Sequence, residues 1–232
     1  MNRSLIDRLD LACWRFAAAA LAAPGAEVVP QPDWLAMATP RRPIEWRNHV
    51  VRTPLWQRLH VEYFALPGEI AVLHLCAFPR PEIALPILGF DVITGRERAT
   101  GCFLDLSPTV PEAEPCIAAW GAWVAPQRAA LGEARVLPEW TAIFSPEVVA
   151  VRPEGLEGFE AGVALGEATL LGCLRDTRQP RAEPQAMLAA QARYIAAQRR
   201  NDRTRRMLAG CVGPEMADSF IAECLFPDLA AA

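Results

Sequence analysis

Residues 45–106 form a series of short runs in which apolar and polar side chains alternate. Alternation with a period of two is typical of β-strands, because successive side chains point to opposite faces. The runs are separated by sequences that favour turns, namely Thr53-Pro54, Pro67-Gly68, Pro79-Arg80-Pro81 and Thr94-Gly95. Glycine and proline at these points end each run within a few residues. The pattern predicts an antiparallel meander, and we expect it to be the central sheet.

The segments on either side of this meander predict helices. Ser4 can cap a helix over residues 5–23, which would end at Pro24-Gly25. Further helices are predicted near residues 116–131, around residues 156–174 and from Pro184 to Gly210, with strands around residues 142–151. With 232 residues, of which 52% are hydrophobic, the chain can bury a sizeable core. We expect one α/β domain over residues 1–232.

The composition excludes several classes of enzyme. All 23 basic residues are arginine, so the chain has neither a Schiff-base lysine nor the lysine of a phosphate-binding P-loop. No Gly-x-Gly-x-x-Gly sequence opens a helix, and the seven cysteines include no Cys-x-x-Cys pair. These absences argue against a Rossmann cofactor site, a zinc ribbon and a common iron–sulfur cluster. If the chain is a redox enzyme, we expect no bound cofactor and an external source of electrons.

The charge and the apolar runs bear on possible partners. The formal net charge is −4, and no basic stripe interleaved with aromatic residues is visible, so nucleic acid is not expected as a partner. The longest apolar run near the N-terminus, residues 16–23, is too short to span a bilayer. Cysteines in odd number argue against a disulfide framework. We therefore expect a cytoplasmic protein that does not bind a membrane.

Polar side chains interrupt the apolar pattern on two of the predicted strands. His60 and Glu62 share one face of their strand, and His74 follows on the next strand. If the hairpin between these strands is symmetric about Gly68, Glu62 lies directly opposite His74. Imidazole and carboxyl groups in this arrangement suit proton transfer. Two imidazoles and a carboxylate on adjacent strands could equally bind iron or manganese, so a metal site is an alternative.

Two further predictions depend on periodicity. Symmetry of the second hairpin about the bond between residues 95 and 96 would place Asp91 opposite Thr100. In the last predicted helix, the apolar line through Tyr194 continues to Asn201, and the neighbouring line continues to Asp202. We therefore expect Asn201 and Asp202 to face a buried polar site, and the arginines of this helix to form a positive outer face.

The order of the sequence landmarks resembles the ferredoxin-dependent bilin reductases, from about residue 45 to the C-terminus. The matching segments are Thr53-Pro54, His60-Val61-Glu62, Leu73-His74, Phe78-Pro79, Leu85-Pro86-Ile87-Leu88-Gly89-Phe90-Asp91, Asp105-Leu106-Ser107-Pro108-Thr109, Arg135, Leu137-Pro138, Trp140, Ile143-Phe144-Ser145, Arg152-Pro153, Tyr194, Asn201-Asp202-Arg203-Thr204-Arg205-Arg206 and Leu225-Phe226. The resemblance implies a three-layer α/β/α sandwich with a central antiparallel sheet. It also implies that biliverdin IXα binds between the sheet and the C-terminal helices, and that reduced ferredoxin supplies the electrons.

The resemblance also implies roles for individual residues. His74 and Asp91 match the pair beneath the pyrrole nitrogens and lactam oxygens, Glu62 matches the proton donor beside the D-ring vinyl group, and His60 matches a histidine that supports this glutamate. Asp202 matches a third acid used in related reductases. The substrate-binding positions that it implies are Thr100, Arg135, Tyr194, Asn201 and Met207, with Thr100 and Arg135 contacting the propionates. The arginines that it implies for ferredoxin docking are Arg199, Arg200, Arg203 and Arg206.

The combination of His74 and Glu62 indicates a product. Family members with both residues resemble those that reduce biliverdin by four electrons, through bilin radicals, to phycocyanobilin. A reductase of the same family that forms phycoerythrobilin is one alternative, and a non-catalytic bilin carrier is another. A carrier would keep Arg135 and the apolar pocket but has no need of the proton donors. We expect the protein to act as a monomer.

Overall fold

The computed structural model describes residues 3–36, 39–175 and 179–229. Its helices are α1 (Leu5–Leu21), α2 (Asp33–Ala36), α3 (Glu114–Arg128), α4 (Gly155–Arg175), α5 (Pro184–Gln198), α6 (Asp202–Val212) and α7 (Pro214–Phe220). Its strands are β1 (Glu27–Val28), β2 (Glu45–Arg52), β3 (Trp56–Leu66), β4 (Ile70–Pro79), β5 (Ile87–Gly95), β6 (Ala99–Ser107), β7 (Gly132–Ala134) and β8 (Val149–Pro153). Two short 3₁₀ helices, Pro111–Ala113 and Glu139–Ile143, and a π-helical turn, Ile221–Leu225, complete the secondary structure.

The eight strands form one sheet in the order β1-β2-β3-β4-β5-β6-β8-β7, and all neighbouring strands are antiparallel. The first six strands follow each other in chain order, which confirms the predicted meander. Each side chain of a strand faces one of two layers of helices, because the side-chain direction alternates along the strand.

Helices α1, α3 and α4 cover the first face of the sheet. Apolar residues at odd-numbered positions of β3 and β4, such as Val61 and Leu73, are fully buried there. The ring of Phe16 in α1 is stacked on that of Phe90 in β5 at 5.3 Å between centroids. This layer is a continuous apolar core, and burial of its side chains from water is its main source of stability.

Helices α5, α6 and α7 cover the opposite face. Phe64 and Phe78 of the sheet pack there against Ile195, Leu208 and Phe220 of the helices. Helices therefore lie on both faces of a central antiparallel sheet, which confirms the predicted α/β/α sandwich. This second face differs from the first in carrying polar side chains among the apolar ones.

The N-terminal helix begins where the sequence predicts. The Oγ of Ser4 accepts a hydrogen bond from the backbone N–H of Asp7 at 3.2 Å, and the Asp7 carboxylate accepts one from the backbone N–H of Ser4 at 3.1 Å. This reciprocal pair is a capping box, which satisfies N–H groups that a helix leaves unpaired at its start. The helix ends at Leu21, two residues before the predicted end.

The prediction of a single helix from Pro184 to Gly210 is wrong. The chain forms α5 and α6 with a break at residues 199–201, and α6 continues to Val212. The Asn201 side chain accepts a hydrogen bond from the backbone N–H of Arg203 at 3.2 Å and thereby caps α6. A cap of this kind starts a new helix, so the periodicity of α5 does not extend through it.

Two other predictions are corrected. Residues 139–143 form a 3₁₀ helix, and the predicted strand over residues 142–151 is reduced to β8 at Val149–Pro153. Asp91 lies opposite Phe103 and not opposite Thr100, because the three residues 96–98 join β5 to β6 and an irregularity in register follows them. The backbone N–H of Gly95 donates to the Arg98 carbonyl across this turn at 2.8 Å.

The other helix predictions hold with small shifts of their ends. The helix expected at residues 116–131 is α3, and the one expected at residues 156–174 is α4. Within the described parts of the chain, none of the helices combines the length and the apolar character that crossing a bilayer would require.

Candidate active site

The registers of the central strands align polar residues in one row across the sheet. Asn48 of β2 lies opposite Glu62 of β3, Glu62 lies opposite His74 of β4, and His74 lies opposite Asp91 of β5. The predicted pairing of Glu62 with His74 is thereby confirmed. His60 is two residues from Glu62 and shares its face. The sheet thus brings together the four residues predicted to carry protons, beneath α5–α7.

His74 and Asp91 form a hydrogen-bonded pair. The distance between Nδ1 of His74 and Oδ1 of Asp91 is 2.8 Å. The imidazole is 8% exposed, whereas the Asp91 side chain is 38% exposed. Burial lowers the pKa of His74, but the charge and hydrogen bond of Asp91, together with the charge of Glu62, outweigh it and raise the pKa above its ordinary value. Near neutral pH this pair can therefore hold a proton beside a partly open surface.

Glu62 is a buried carboxyl group with one indole partner. Glu62 is 5% exposed, and its Oε1 accepts a hydrogen bond from Nε1 of Trp46 at 2.6 Å. Burial raises the pKa of Glu62 from 4.5 to about 7, although the charge of His74 and the Trp46 hydrogen bond act in the opposite direction. Both the neutral acid and the carboxylate are therefore accessible near pH 7, as a general acid requires.

His60 is buried and uncharged. Burial, followed by the charges of Arg58, His74 and His49, holds the pKa of His60 well below its ordinary value. Its Nε2 lies 2.8 Å from Oδ1 of Asn48, and its ring centroid is 6.0 Å from that of His74. His60 is hydrogen-bonded to Asn48, which itself lies opposite Glu62.

The C-terminal residues of the described chain cover this polar row. The ring of Phe226 meets that of His74 edge to face at 5.7 Å, and the ring of Phe220 lies 4.3 Å from that of Trp46. The Arg58 guanidinium donates to the backbone carbonyl of Cys224. Residues 214–226 therefore exclude water from Glu62 and His74, which strengthens the electrostatic interactions among them.

Tyr194 of α5 extends over the same face of the sheet. Its hydroxyl accepts a hydrogen bond from Nε2 of Gln198 at 2.8 Å. A Cβ atom at Gly89 of β5 would lie 3.0 Å from that hydroxyl, so glycine at this position lets the tyrosine approach the strand closely. Burial raises the pKa of Tyr194 well above its ordinary value, so the phenol keeps its proton.

The other predicted substrate-binding residues lie around this cluster. Met207 is half-buried against the apolar residues that α5–α7 share with the sheet. Nη1 of Arg135 donates to the backbone carbonyl of Thr100 at 2.5 Å, and the guanidinium lies 5.3 Å from the centre of the Phe103 ring. Burial, followed by the charges of Arg203 and Arg152, lowers the pKa of Arg135. Positive charge is therefore concentrated beside Thr100.

Asp202 and Asn201 do not lie on a buried line, so that prediction is wrong. The Asp202 side chain is 70% exposed and pairs with Arg206 one helical turn later at 3.1 Å. Asn201 is half-buried, and its side chain caps α6. The break between α5 and α6 accounts for both differences, because it rotates the residues that follow it away from the line of Tyr194.

The predicted docking arginines divide into two groups. Arg199 is turned towards the protein: its guanidinium donates to the carbonyls of Ala222 and Phe226 and pairs with Asp228 at 3.0 Å. The remaining predicted docking residues, Arg200, Arg203 and Arg206, are exposed. The exposed group extends from the end of α5 along α6.

Asp105, a further polar residue of this face, accepts hydrogen bonds from two serines that sequence reasoning did not identify as its partners. Its carboxylate accepts hydrogen bonds from the Ser107 hydroxyl at 2.5 Å, from the Ser145 hydroxyl at 2.5 Å and from the Ser145 backbone N–H at 3.0 Å. Burial nevertheless raises the pKa of Asp105 to about 6. The residue connects the segment after the second 3₁₀ helix to β6.

Trp46 and Asn48 were also missed. Both lie on β2, and only the register of β2 against β3 reveals that they contact Glu62 and His60.

For the metal alternative, each predicted ligand has its own partner: Asn48 for His60, Trp46 for Glu62 and Asp91 for His74. Among the described residues, no group of three or more histidine, cysteine, aspartate and glutamate side chains is placed to hold a metal ion.

Comparisons with known proteins place this chain in a family. Residues 35–227 match the model of the ferredoxin-dependent bilin reductases. The chain is 30% identical over 185 residues to the phycocyanobilin:ferredoxin oxidoreductase of Trichodesmium erythraeum, covering 78% of this chain and 75% of the relative. It is 34% identical over 192 residues to the enzyme of the same name from Prochlorococcus marinus strain MIT 9313, covering 78% and 70%.

A solved structure has the same fold. The chain superposes on tomato phytochromobilin synthase in complex with biliverdin with a TM-score of 0.70, covering 95% of this chain and 82% of that one, at 17% sequence identity. The fold and the match over residues 35–227 agree. The chain is an oxidoreductase that belongs to the ferredoxin-dependent bilin reductase family.

Proposed function

We propose that the protein reduces biliverdin IXα to phycocyanobilin in two steps of two electrons each, with reduced ferredoxin as the donor. The proposal is supported by the names of the curated relatives, which are phycocyanobilin:ferredoxin oxidoreductases. It is also supported by the absence of a cofactor motif in the sequence, since a conjugated tetrapyrrole can itself hold an unpaired electron. The bilin then passes through radical states, and the protein supplies one proton for each electron.

The observation that carries the proposal is the row formed by Glu62, His74 and Asp91. His74 and Asp91 share a proton across a distance of 2.8 Å, and Glu62 on the neighbouring strand has a pKa of about 7. Two separate sources of protons on one face suit a substrate that is reduced at two separate positions. In our proposal His74 and Asp91 protonate the bilin centre, and Glu62 protonates the D-ring vinyl group.

Binding uses the partly exposed edge of this row. The Asp91 side chain is 38% exposed, and Arg135 beside Thr100 offers a guanidinium that can bind a propionate carboxylate in a two-bonded fork. Tyr194 and Met207 supply apolar surface on the helical side. Because residues 214–226 cover Glu62 and His74 in the protein alone, we propose that this segment moves when the bilin binds.

Ferredoxin is proposed to dock on the exposed arginines. Arg200, Arg203 and Arg206 lie on the outer side of the helical layer that covers the site. A positive patch attracts an acidic redox partner and raises the rate of encounter at low salt. Electrons entering here would reach the bilin through the helical layer. We further propose that the protein acts as a monomer in the cytoplasm.

The test is an anaerobic reaction of the purified protein with biliverdin, ferredoxin and a reducing system. Absorbance is followed during the reaction, and the released bilin is identified by chromatography. We expect transient radical bands followed by phycocyanobilin. Release of phycoerythrobilin would establish the alternative product. A single absorbance change on mixing, with no consumption of electrons, would establish a bilin carrier and overturn the proposal.

A further inference from the structure

Trp46 contacts Glu62. The family resemblance implies no role for this tryptophan. Trp46 lies on β2 opposite Phe64, two residues from Asn48, and its indole N–H donates to Oε1 of Glu62 at 2.6 Å. It therefore reaches Glu62 diagonally across the strand pair, on the face that carries the polar row.

The direction of this hydrogen bond is fixed by chemistry. An indole N–H can only donate, so Oε1 of Glu62 must offer a lone pair to it in both protonation states. A neutral carboxyl group carries its proton on one oxygen only. Because the carbonyl oxygen of a neutral carboxyl group accepts more strongly than its hydroxyl oxygen, engagement of Oε1 favours the proton on Oε2.

The position of the indole ring is fixed by packing. Its centroid lies 4.3 Å from that of Phe220 in α7, and it meets Phe64 of β3 edge to face at 5.8 Å. Glu62 is itself buried, so water does not compete for Oε1. The donor therefore cannot swing away without disturbing aromatic contacts on both sides.

We propose that Trp46 is a positioning residue that holds Oε1 of Glu62 as an acceptor and thereby places the transferable proton on Oε2. The proposal rests on the proposed function of Glu62 as the proton donor to the D-ring vinyl group. Trp46 does not transfer a proton itself. Its N–H also favours the ionised form of Glu62, in opposition to burial, and so keeps the acid able to release its proton near neutral pH.

The first experiment compares the wild-type protein with Trp46→Phe, which retains an aromatic ring and removes the N–H. Titration of the Glu62 carboxyl is followed by infrared difference spectroscopy without any substrate, with Glu62→Gln identifying the band. We expect the Glu62 midpoint to move above its wild-type value of about 7. In turnover we expect reduction of the D-ring vinyl group to slow roughly tenfold, with a partly reduced bilin that retains this vinyl group accumulating.

The matched control is Trp34→Phe. The indole of Trp34 also donates to a glutamate, Oε2 of Glu223, at 2.9 Å, but that pair is exposed. This variant loses the same kind of hydrogen bond away from the polar row. In Trp34→Phe we expect the titration of Glu62 and the order in which bilin products appear to match those of the wild-type protein.

A second measurement does not depend on how Trp46→Phe folds. In the wild-type protein labelled with ¹⁵N, we expect one of the seven tryptophan indole resonances to shift with the same midpoint as Glu62, and no such shift in Glu62→Gln. If no indole resonance follows Glu62, or if Trp46→Phe leaves both the titration and the reduction of the D-ring vinyl group unchanged, the inference is wrong. A wild-type protein that does not reduce biliverdin would instead overturn the proposed function, while the titrations would still test the contact.

Discussion

His74 and Asp91 face each other on neighbouring strands, and Nδ1 of the imidazole lies 2.8 Å from Oδ1 of the carboxylate. Because the carboxylate accepts the Nδ1 proton, a further proton on the ring is carried by Nε2, an atom that has no hydrogen-bond partner among the described residues. The pair thus presents one free imidazole nitrogen on the face beneath the helices. A carboxylate that is partly open to solvent can restore the proton after each transfer.

The first prediction concerns Asp91→Asn. Without the carboxylate, burial and the charge of Arg58 are opposed only by the charge of Glu62, so the pKa of His74 falls and less of the imidazolium form is present at neutral pH. We expect consumption of biliverdin to slow by roughly a hundredfold or more. Titration of ¹³C-labelled histidine by NMR checks the pKa, and stopped-flow absorbance checks the rate.

The control for this variant is Asp218→Asn. Asp218 forms an exposed ion pair with Arg205 at 2.6 Å, so the change removes the same charge outside the polar row. We expect a reaction rate close to that of the wild-type protein. Equal rates for Asp91→Asn and Asp218→Asn would contradict the role of Asp91.

The second prediction is the pH dependence of the reduction of the D-ring vinyl group. Glu62 donates only while it is neutral, and its pKa is about 7, so this reduction should lose rate as the pH rises through 7, whereas the reduction that does not use Glu62 should continue. The same proton is bound more tightly in the folded chain than in the unfolded one, so its contribution to stability is complete below about pH 4.5 and is lost as the pH rises through about 7.

The corresponding variant is Glu62→Gln, which cannot donate an acidic proton. We expect the reaction to stop at the partly reduced bilin at every pH, with biliverdin still consumed. Chromatography of bilins taken at timed intervals between pH 6 and 8 checks both statements. Completed reduction by this variant would contradict the role of Glu62 as the donor to the D-ring vinyl group.

The third prediction is a loss of stability in Asp105→Ala. The change leaves the Ser145 backbone N–H and the hydroxyls of Ser107 and Ser145 without their acceptor in a buried position. We expect the free energy of unfolding to fall by roughly 2–4 kcal/mol. Ser107→Ala, which removes one donor and keeps the carboxylate, should cost about 1 kcal/mol. Urea unfolding of both variants measures the difference, and equal losses would contradict the three-donor arrangement.

The pairing of Glu62 with His74 could be predicted from the sequence because its cause is local. Gly68 has a positive φ of 75°, which glycine adopts without strain, and it lies at the centre of the turn between β3 and β4. The Ser4 cap of α1 is local in the same sense. Where a turn residue defines the register, residue numbers alone identify the facing pair.

The features that could not be predicted depend on contacts between distant segments. The turn between β5 and β6 is centred about one residue later than predicted, and an irregularity in register follows it, so Thr100 and Asp91 do not face each other. Trp46 and Asn48 become neighbours of Glu62 and His60 only through the pairing of β2 with β3. The sequence positions of Asn201 and Asp202 continue the helical periodicity of α5, and this periodicity does not show that Asn201 caps a new helix. The two residues were therefore placed incorrectly.

The fourth prediction separates Arg199 from Arg203, which sequence reasoning assigned to the same docking surface. Arg199 donates to the carbonyl of Phe226 at 2.7 Å and to that of Ala222 at 3.2 Å, so Arg199→Ala should loosen the segment over the polar row and lower the melting temperature. Arg203 is exposed at the start of α6. Arg203→Ala should leave stability unchanged and weaken ferredoxin binding about two- to fivefold at low salt.

Both variants are compared by thermal unfolding and by titration with ferredoxin at low and high salt. Because salt screens exposed charges, the effect of Arg203→Ala on binding should shrink at high salt, whereas the effect of Arg199→Ala on stability should persist. Arg199→Gln keeps a hydrogen-bond donor and should recover part of the lost stability. A ferredoxin affinity that is the same in Arg203→Ala as in the wild-type protein at low salt would place the docking surface elsewhere, because the exposed charge at this position would then contribute nothing to the encounter.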